Sequence, residues 1–352
     1  MFAGIGGFRA GLERAGGFTC IGHSEIDKHA HRAYQNIYAI DPQEVYYEDA
    51  KTIKAEEMPD FDLLCAGFPC QSFSIAGKRR GFHDVRGTLF FDITRVLKAK
   101  HPAFLLLENV PGLLNHDEGR TFTAILSTLS ELGYYVEWKI INSKSFGVPQ
   151  SRKRVYIVGY LDRRCAGKIL PLREAGGKAL IQIIGGAQGE RVYDPSGVAC
   201  TQLASCGGGG SKNGLYLIKQ NSRKDTSDNV LLIKEATKRQ YSEARPGDSV
   251  DTSYADQNQK RARVGHGIAY TLTTKPDKAV VEADMRIRRL TPRECLRLQG
   301  FSETQIDRLL AVTSDTQAYK QAGNAVTVNV IHAIGLRLKS TYEALMAEEE
   351  AT

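Results

Sequence analysis

The chain has 352 residues, 42% of them hydrophobic and 25% charged, with 47 Lys and Arg against 40 Asp and Glu for a net charge of +7. That length suffices for one large and one smaller domain, and the composition excludes a disordered, fibrous or membrane-spanning chain. The seven cysteines contain no C-x-x-C pair, so neither a zinc site nor a disulfide framework is expected, and with no secretory leader read the protein is placed in a reducing cytoplasm.

The chain opens on Met1-Phe2-Ala3-Gly4-Ile5-Gly6-Gly7-Phe8, a glycine-rich turn into a helix over 9–15 that Gly16 and Gly17 stop. Backbone N–H groups at such a helix start are a place for a cofactor, although Arg9 stands where the dinucleotide fingerprint has its third glycine. A buried strand normally precedes such a turn. Only Met1 precedes Phe2 here, so the first strand is expected to be missing, lost to a misassigned start or to an artificial boundary of the chain. Residues 18–23 read as the next strand, ending in Ser24-Glu25-Ile26-Asp27. Glu25 suits either the two hydroxyls of a ribose or the cap of a helix over 28–38, a role that Asp27 fills better. Tyr46-Tyr47-Glu48-Asp49-Ala50 then precedes a loop.

The apolar run 61–65 leads to Gly67-Phe68-Pro69-Cys70-Gln71-Ser72-Phe73-Ser74. A Pro-Cys step just past a strand falls where an open α/β sheet has its ligand crevice. Cys70 is either a small buried hydrophobe or a nucleophile, which at a free-thiol pKa of about 8.5 needs help to ionise. A helix over 88–99, ended by Pro102, is followed by Ala103-Phe104-Leu105-Leu106-Leu107, a buried parallel strand. It delivers Glu108-Asn109-Val110-Pro111-Gly112 to the same sheet edge as Cys70. Desolvation after five apolar residues favours the neutral form of Glu108, as a proton donor requires; a helix cap is the alternative.

A helix over 120–132, closed by Gly133, precedes a strand pair at 134–141 and 154–160 around Gln150-Ser151-Arg152-Lys153-Arg154. Arg152 and Arg154 alternate at strand spacing and so point one way, suited to a phosphate or a pyrimidine carbonyl, or else forming a solvated face. Residues 161–285, with Gly207–Gly210 and many polar turns, read as a smaller domain of strands and loops. Residues 181–290 hold 17 Lys and Arg against 12 Asp and Glu, a basic excess that suits a polyanion. Thr291 and Glu294 form a capping box with Pro292 at the first helical position, and Ser302 with Gln305 repeats it. Tyr319–Val326 leads into a long apolar helix to about residue 345, with a frayed tail over 346–352.

Six of these stretches together resemble the DNA (cytosine-5) methyltransferase family: Phe-Ala-Gly-Ile-Gly-Gly at 2–7, Pro-Cys-Gln at 69–71, Glu-Asn-Val at 108–110, Gln-Ser-Arg-Lys-Arg at 150–154, Arg-Leu-Thr-Pro-Arg-Glu at 289–294 and Gly-Asn-Ala-Val at 323–326. The resemblance covers residues 2–160 and 286–335 in the family's order. It implies an α/β fold with a Rossmann-like sheet, helices on both faces, and a smaller β/loop target-recognition domain. The catalytic domain would be 1–160 with 286–345, and the recognition domain 161–285. S-adenosyl-L-methionine is the implied cofactor, held by Phe2, Ala3, Gly4, Ile5, Gly6, Gly7, Glu25, Ile26, Asp49, Ala50, Pro69, Asn324 and Ala325. Double-stranded DNA is the implied partner, with a cognate restriction endonuclease as a genetic one, and a monomer is expected.

The implied reaction explains why these residue types belong together. Cys70 adds to C6 of cytosine, Glu108 protonates or hydrogen-bonds N3, and Arg154 steadies the ring carbonyl while Arg152 positions a neighbouring group. A base stacked in a duplex must first be flipped out. Gln71, Ser74, Lys78, Arg79 and Arg80 would then hold the vacated helix, and Thr271 would serve base readout. Two other readings share the motifs: an RNA (tRNA) cytosine-5 methyltransferase, and a catalytically decayed DNA-binding relative. No metal is called for.

Overall fold

The computed structural model describes residues 1–68, 89–170, 172 and 290–350, and between the last two only short segments within 182–184, 192–193, 199–200, 230–234, 241–246, 248–251, 263–265, 278–281 and 287–288. Cys70, Pro69, Gln71, Ser74, Lys78, Arg79, Arg80 and Thr271 lie outside the described residues.

Four strands form the central sheet: β3 (Leu63–Gly67), β4 (Phe104–Asn109), β5 (Tyr135–Asn142) and β7 (Lys153–Tyr160), in the order β3-β4-β7-β5. β3 and β4 are parallel, whereas β7 runs antiparallel to both of its neighbours. All six residues of β4 are buried. Its side chains alternate between two cores, as strand geometry demands. Leu105 and Leu107 join Phe90, Ile93, Leu97, Ile125 and Leu129 of helices α3 (Leu89–Lys100) and α4 (Arg120–Glu131). Phe104 and Leu106 join Phe8 and Leu12 of α1 (Gly7–Ala15) and Ile331, Ile334 and Leu338 of α8 (Val328–Glu350). Each fully buried leucine contributes roughly 1.5–3 kcal/mol, so a continuous apolar run between two helix layers is the strand's most stable place.

α1 and α8 meet closely at Gly11, where a Cβ would come within 2.5 Å of the Ile331 Cβ and 2.8 Å of the Val328 carbonyl oxygen. A second, two-stranded parallel sheet pairs β1 (Gly22–Ser24) with β2 (Val45–Tyr47). Helix α2 (Lys28–Ile37) follows β1, and its cap is Asp27, whose carboxylate accepts from the His29 and Ala30 amides. Near the C-terminus, α5 (Pro292–Leu298) and α6 (Glu303–Leu310) carry the expected reciprocal capping boxes, and α7 (Asp315–Asn324) leads into α8. Between residues 182 and 288 the described segments are short strands, mostly in antiparallel pairs. One of them, Ala199–Cys200 (the strand after 192–193), pairs in parallel with β6 (Gln150–Ser151).

Two local expectations are corrected. The strand read over 18–23 is only Gly22–Ser24, a short element that among the described residues has a ladder on one side only. The tail from residue 346 is not frayed through 350: α8 continues to Glu350, and Arg164 ion-pairs with Glu348 and Glu349 at 3.2 and 2.9 Å. Among the described residues no helix is long and apolar enough to cross a membrane.

Candidate active site

The sheet register gathers the site. Gly67 of β3 stands opposite Glu108 of β4, so the loop toward Cys70 leaves from the edge at which Glu108 emerges. β7 runs the other way and therefore starts at that edge, with Val155 opposite Asn109. Strand alternation puts Glu108 and Arg154 on the same side as Leu106 and Tyr156, facing α1 and α8. There Arg154 Nε lies 3.0 Å from Glu108 Oε1, both side chains about nine-tenths buried (9% and 11% exposed). The approach falls short of hydrogen-bond geometry, and Glu108 Oε1 has no hydrogen-bond partner among the described residues. A buried carboxylate oxygen with unused capacity is the kind of group that a bound ligand completes.

Asn109 looks the other way along the edge. Its Nδ2 donates to the Phe68 carbonyl at 2.8 Å, and its Oδ1 accepts from the Val110 amide at 2.8 Å. The amide thus ties the end of β4 to the last described residue before Pro69 and Cys70. Sequence reasoning assigned no role to Asn109, although it follows Glu108 directly.

Arg152 is buried, and its Nη1 donates to the Gly323 carbonyl at 3.1 Å. Burial, with Arg154 alongside, pushes its guanidinium down to about 9 while Glu108 pulls the other way, which leaves it charged at neutral pH. Gln299, fully buried, donates to the Ala322 carbonyl at 2.7 Å and accepts from the Thr327 hydroxyl at 3.1 Å. The Ala325 amide closes on the Gln321 carbonyl. Three successive carbonyls at the C-terminal end of α7 are therefore satisfied, one by an arginine that also complements the helix dipole. These contacts set the bend at Asn324 and Ala325. Only a contact map reveals Gln299; its position at the end of a capped helix gave no signal. Two buried glutamine side chains nearby in sequence, Gln150 and Gln321, have no hydrogen-bond partner among the described residues.

On the β1 side, Glu25 Oε2 accepts from the Gly4 amide at 2.7 Å and Oε1 from the Asp27 amide at 2.8 Å. Each oxygen retains a lone pair, so two hydroxyls can still be accepted. Ile26 beside it is 63% exposed. Gly4 has φ +56°, and nothing lies within 4 Å of where its Cβ would be, so the backbone there is open to a ligand. Ala3 donates to the Ser24 carbonyl at 2.9 Å. Ile5 puts its side chain into a core cluster, which leaves only its backbone for a ligand. Asp49 caps a short 3-10 turn through the Lys51 amide, and Ala50 is buried. Gly7 closes the wall against Val326, the residue after Ala325. Asp27 also ion-pairs with Lys320 of α7 at 2.7 Å. Burial raises its pKa, but Lys320 and the helix amides outweigh that and hold it below the usual carboxylate value.

The described cysteines Cys20, Cys65, Cys165 and Cys295 all have thiols pushed up by burial, Cys65 to about 12. None of these four has the environment of a nucleophile.

The chain is similar to several known proteins. A family profile described as C-5 cytosine-specific DNA methylase matches residues 1–340. The type II methyltransferase M.HpaII of Haemophilus parainfluenzae is 37% identical over 344 residues, covering 96% of this chain and 87% of its own. The orphan methyltransferase M.SPRI of Bacillus phage SPR is 32% identical over 431 residues, covering 97% of each chain. Among solved structures, a DNMT2 variant from Spodoptera frugiperda superposes with a TM-score of 0.58 at 17% identity, covering 97% of this chain and 98% of that one. That last likeness speaks to the fold.

Proposed function

The chain belongs to the C-5 cytosine-specific DNA methylase family, and on that premise we propose that it flips a cytosine out of duplex DNA and methylates it at C5 through a covalent Cys70 adduct. The supporting observation is the buried Arg154–Glu108 pair at the edge from which the Cys70 loop departs.

S-adenosyl-L-methionine is the cofactor, and the residues fit it: open space over Gly4, the spare lone pairs of Glu25, exposed Ile26 and the Asn324–Ala325 bend surround one end of the sheet edge. When bound, it supplies an electrophilic methyl group on a sulfonium. Phe2, Ala3, Gly6, Gly7, Asp49, Ala50 and Pro69 complete its proposed surroundings.

C5 of cytosine is a poor nucleophile within an aromatic ring. Addition of the Cys70 thiolate to C6 breaks that aromaticity and moves the electron pair toward C5. Glu108, once it carries a proton, donates it in a hydrogen bond to N3 or transfers it there, which makes the addition easier, and Arg154 holds Glu108 in place while reaching the ring carbonyl. After methylation, loss of the C5 proton returns the electrons and expels the thiolate. Arg152 acts indirectly, joining the base side to the cofactor side through Gly323. Extruding the base costs a few kcal/mol; Gln71, Ser74, Lys78, Arg79 and Arg80 are assigned to the opened duplex. Residues 161–285, including Thr271, are assigned to sequence readout. A cognate restriction endonuclease is the expected genetic partner, as the name of M.HpaII suggests.

The test is trapping. Duplex DNA carrying 5-fluorocytosine, which has no C5 proton to lose, should form a denaturation-resistant adduct with the wild-type chain and none with Cys70→Ala. Turnover by Cys70→Ala would remove the mechanism.

A further inference from the structure

A stack of rings connects the buried side of β2 to Glu25. Glu44, the residue before β2, has a fully buried side chain. Its Oε2 takes Arg9 Nη1 at 2.7 Å, and its Oε1 lies 2.7 Å from His23 Nδ1. A carboxylate held by a guanidinium is an acceptor, so Nδ1 of His23 carries the proton and Nε2 is left to accept. His31 Nδ1, 3.4 Å from that Nε2, is then the donor.

The fold lines these rings up. The β1–β2 register sets His23 opposite Tyr46, and neighbours in register project to one face of the pair. His31 and Tyr34 stand three residues apart on α2 and so share a helix face. Tyr34 stacks on His23 with ring centroids 4.1 Å apart, and His31 stacks on Tyr46 at 3.7 Å with the planes 13° apart. The phenol so placed donates to the Glu25 carbonyl at 3.0 Å.

Every polar atom of Glu25 therefore has a partner. Its amide donates to the Tyr47 carbonyl at 3.2 Å, and its carboxylate accepts from the Gly4 and Asp27 amides. Among the described residues Tyr46 is the side chain in that set; the other partners are backbone. Its hydroxyl fixes the plane of the Glu25–Ile26 peptide, the joint between the carboxylate and the Asp27 amide that holds it.

We propose that Tyr46, held by its stack on His31, is a positioning residue for S-adenosyl-L-methionine. Its hydroxyl keeps the Glu25 carboxylate aimed at the ribose before the cofactor arrives, an inference that rests on the ribose role given to Glu25. A group ordered in advance loses less freedom on binding, which appears as affinity. Tyr46 touches no reacting atom in this role, so cofactor affinity changes with it and the methyl-transfer step does not. Packing alone would be indifferent to the hydroxyl.

The experiment measures, by calorimetry, the affinity of S-adenosylhomocysteine and of its 2′,3′-dideoxy analogue, which lacks both ribose hydroxyls. The wild-type chain should prefer the ribose form by roughly tenfold or more. Tyr46→Phe keeps the ring and its stack. It should weaken the ribose form by roughly three- to tenfold and leave the dideoxy form within about twofold. His31→Leu, which removes the stack, should shift the ratio the same way. At saturating DNA the cofactor KM of Tyr46→Phe should rise while kcat holds. A wild-type chain that does not distinguish the two ligands removes the ribose role of Glu25, and this inference with it. Discrimination that Tyr46→Phe keeps in full overturns the role of Tyr46 and leaves that of Glu25 standing, as does an equal loss for both ligands.

Discussion

Arg154 Nε stands 3.0 Å from Glu108 Oε1 across the β4–β7 ladder, with both side chains about nine-tenths buried. Removing the cation strands the carboxylate. Arg154→Met is expected to destabilise the fold by about 3–5 kcal/mol and to lower methyl transfer by roughly 100-fold or more. Glu108→Gln should fold normally yet lose transfer to a similar or greater degree. The double variant should regain much of the stability and none of the activity. Denaturant melts and methyl incorporation into duplex DNA separate the two effects.

Asn109 carries a different prediction because it holds the Phe68 carbonyl. Asn109→Ala removes that hydrogen bond, a net cost of about 0.5–1.5 kcal/mol. The rate of adduct formation with 5-fluorocytosine DNA should fall, while affinity for S-adenosylhomocysteine, measured by calorimetry, stays within about twofold. A matching loss of cofactor affinity would place Asn109 elsewhere in the mechanism.

Gln299→Leu should reverse that pattern. It removes the donor to Ala322 and the acceptor for Thr327, loosening the end of α7. The cofactor KM is expected to rise by roughly tenfold with a smaller change in kcat, as steady-state kinetics at saturating DNA would show.

His23 makes stability depend on pH. It is buried with Nδ1 2.7 Å from Glu44 Oε1. Burial pushes its pKa below the ordinary value, with Glu44 offsetting part of the drop. Between the lowered native value and about 6.5 the unfolded chain binds a proton that the native state does not. Stability is therefore full above about 6.5 and declines as pH falls below it. Urea melts from pH 8 to 5 should show this slope, and His23→Phe should flatten part of it; an identical slope in the variant would clear His23.

Gly11→Val tests the α1–α8 contact. With the Val328 carbonyl 2.8 Å from the Cβ position, the helices must separate, at a cost of about 1–3 kcal/mol. A lower urea midpoint is the expected result.

Much of this molecule was legible before folding. Thr291 with Glu294, Ser302 with Gln305, and Asp27 signal helix starts because a cap joins groups two or three residues apart. The run 103–107 announced a strand buried on both faces, and the short run that followed placed Glu108 at its end. The late start of the strand expected over 18–23, at Gly22, was not visible, because strand length depends on the ladder partner alongside.

By itself, then, the amino-acid order determined the local elements, the motif order and the family, since caps, alternation and apolar runs act within a few residues. Tertiary structure decided the rest. It put β7 between β4 and β5, so that Arg154 meets Glu108, and it brought Arg152 to Gly323, 171 positions away. Those contacts arise from how two helix layers close on a sheet, and no short-range propensity encodes a distance between residues so far apart in the chain.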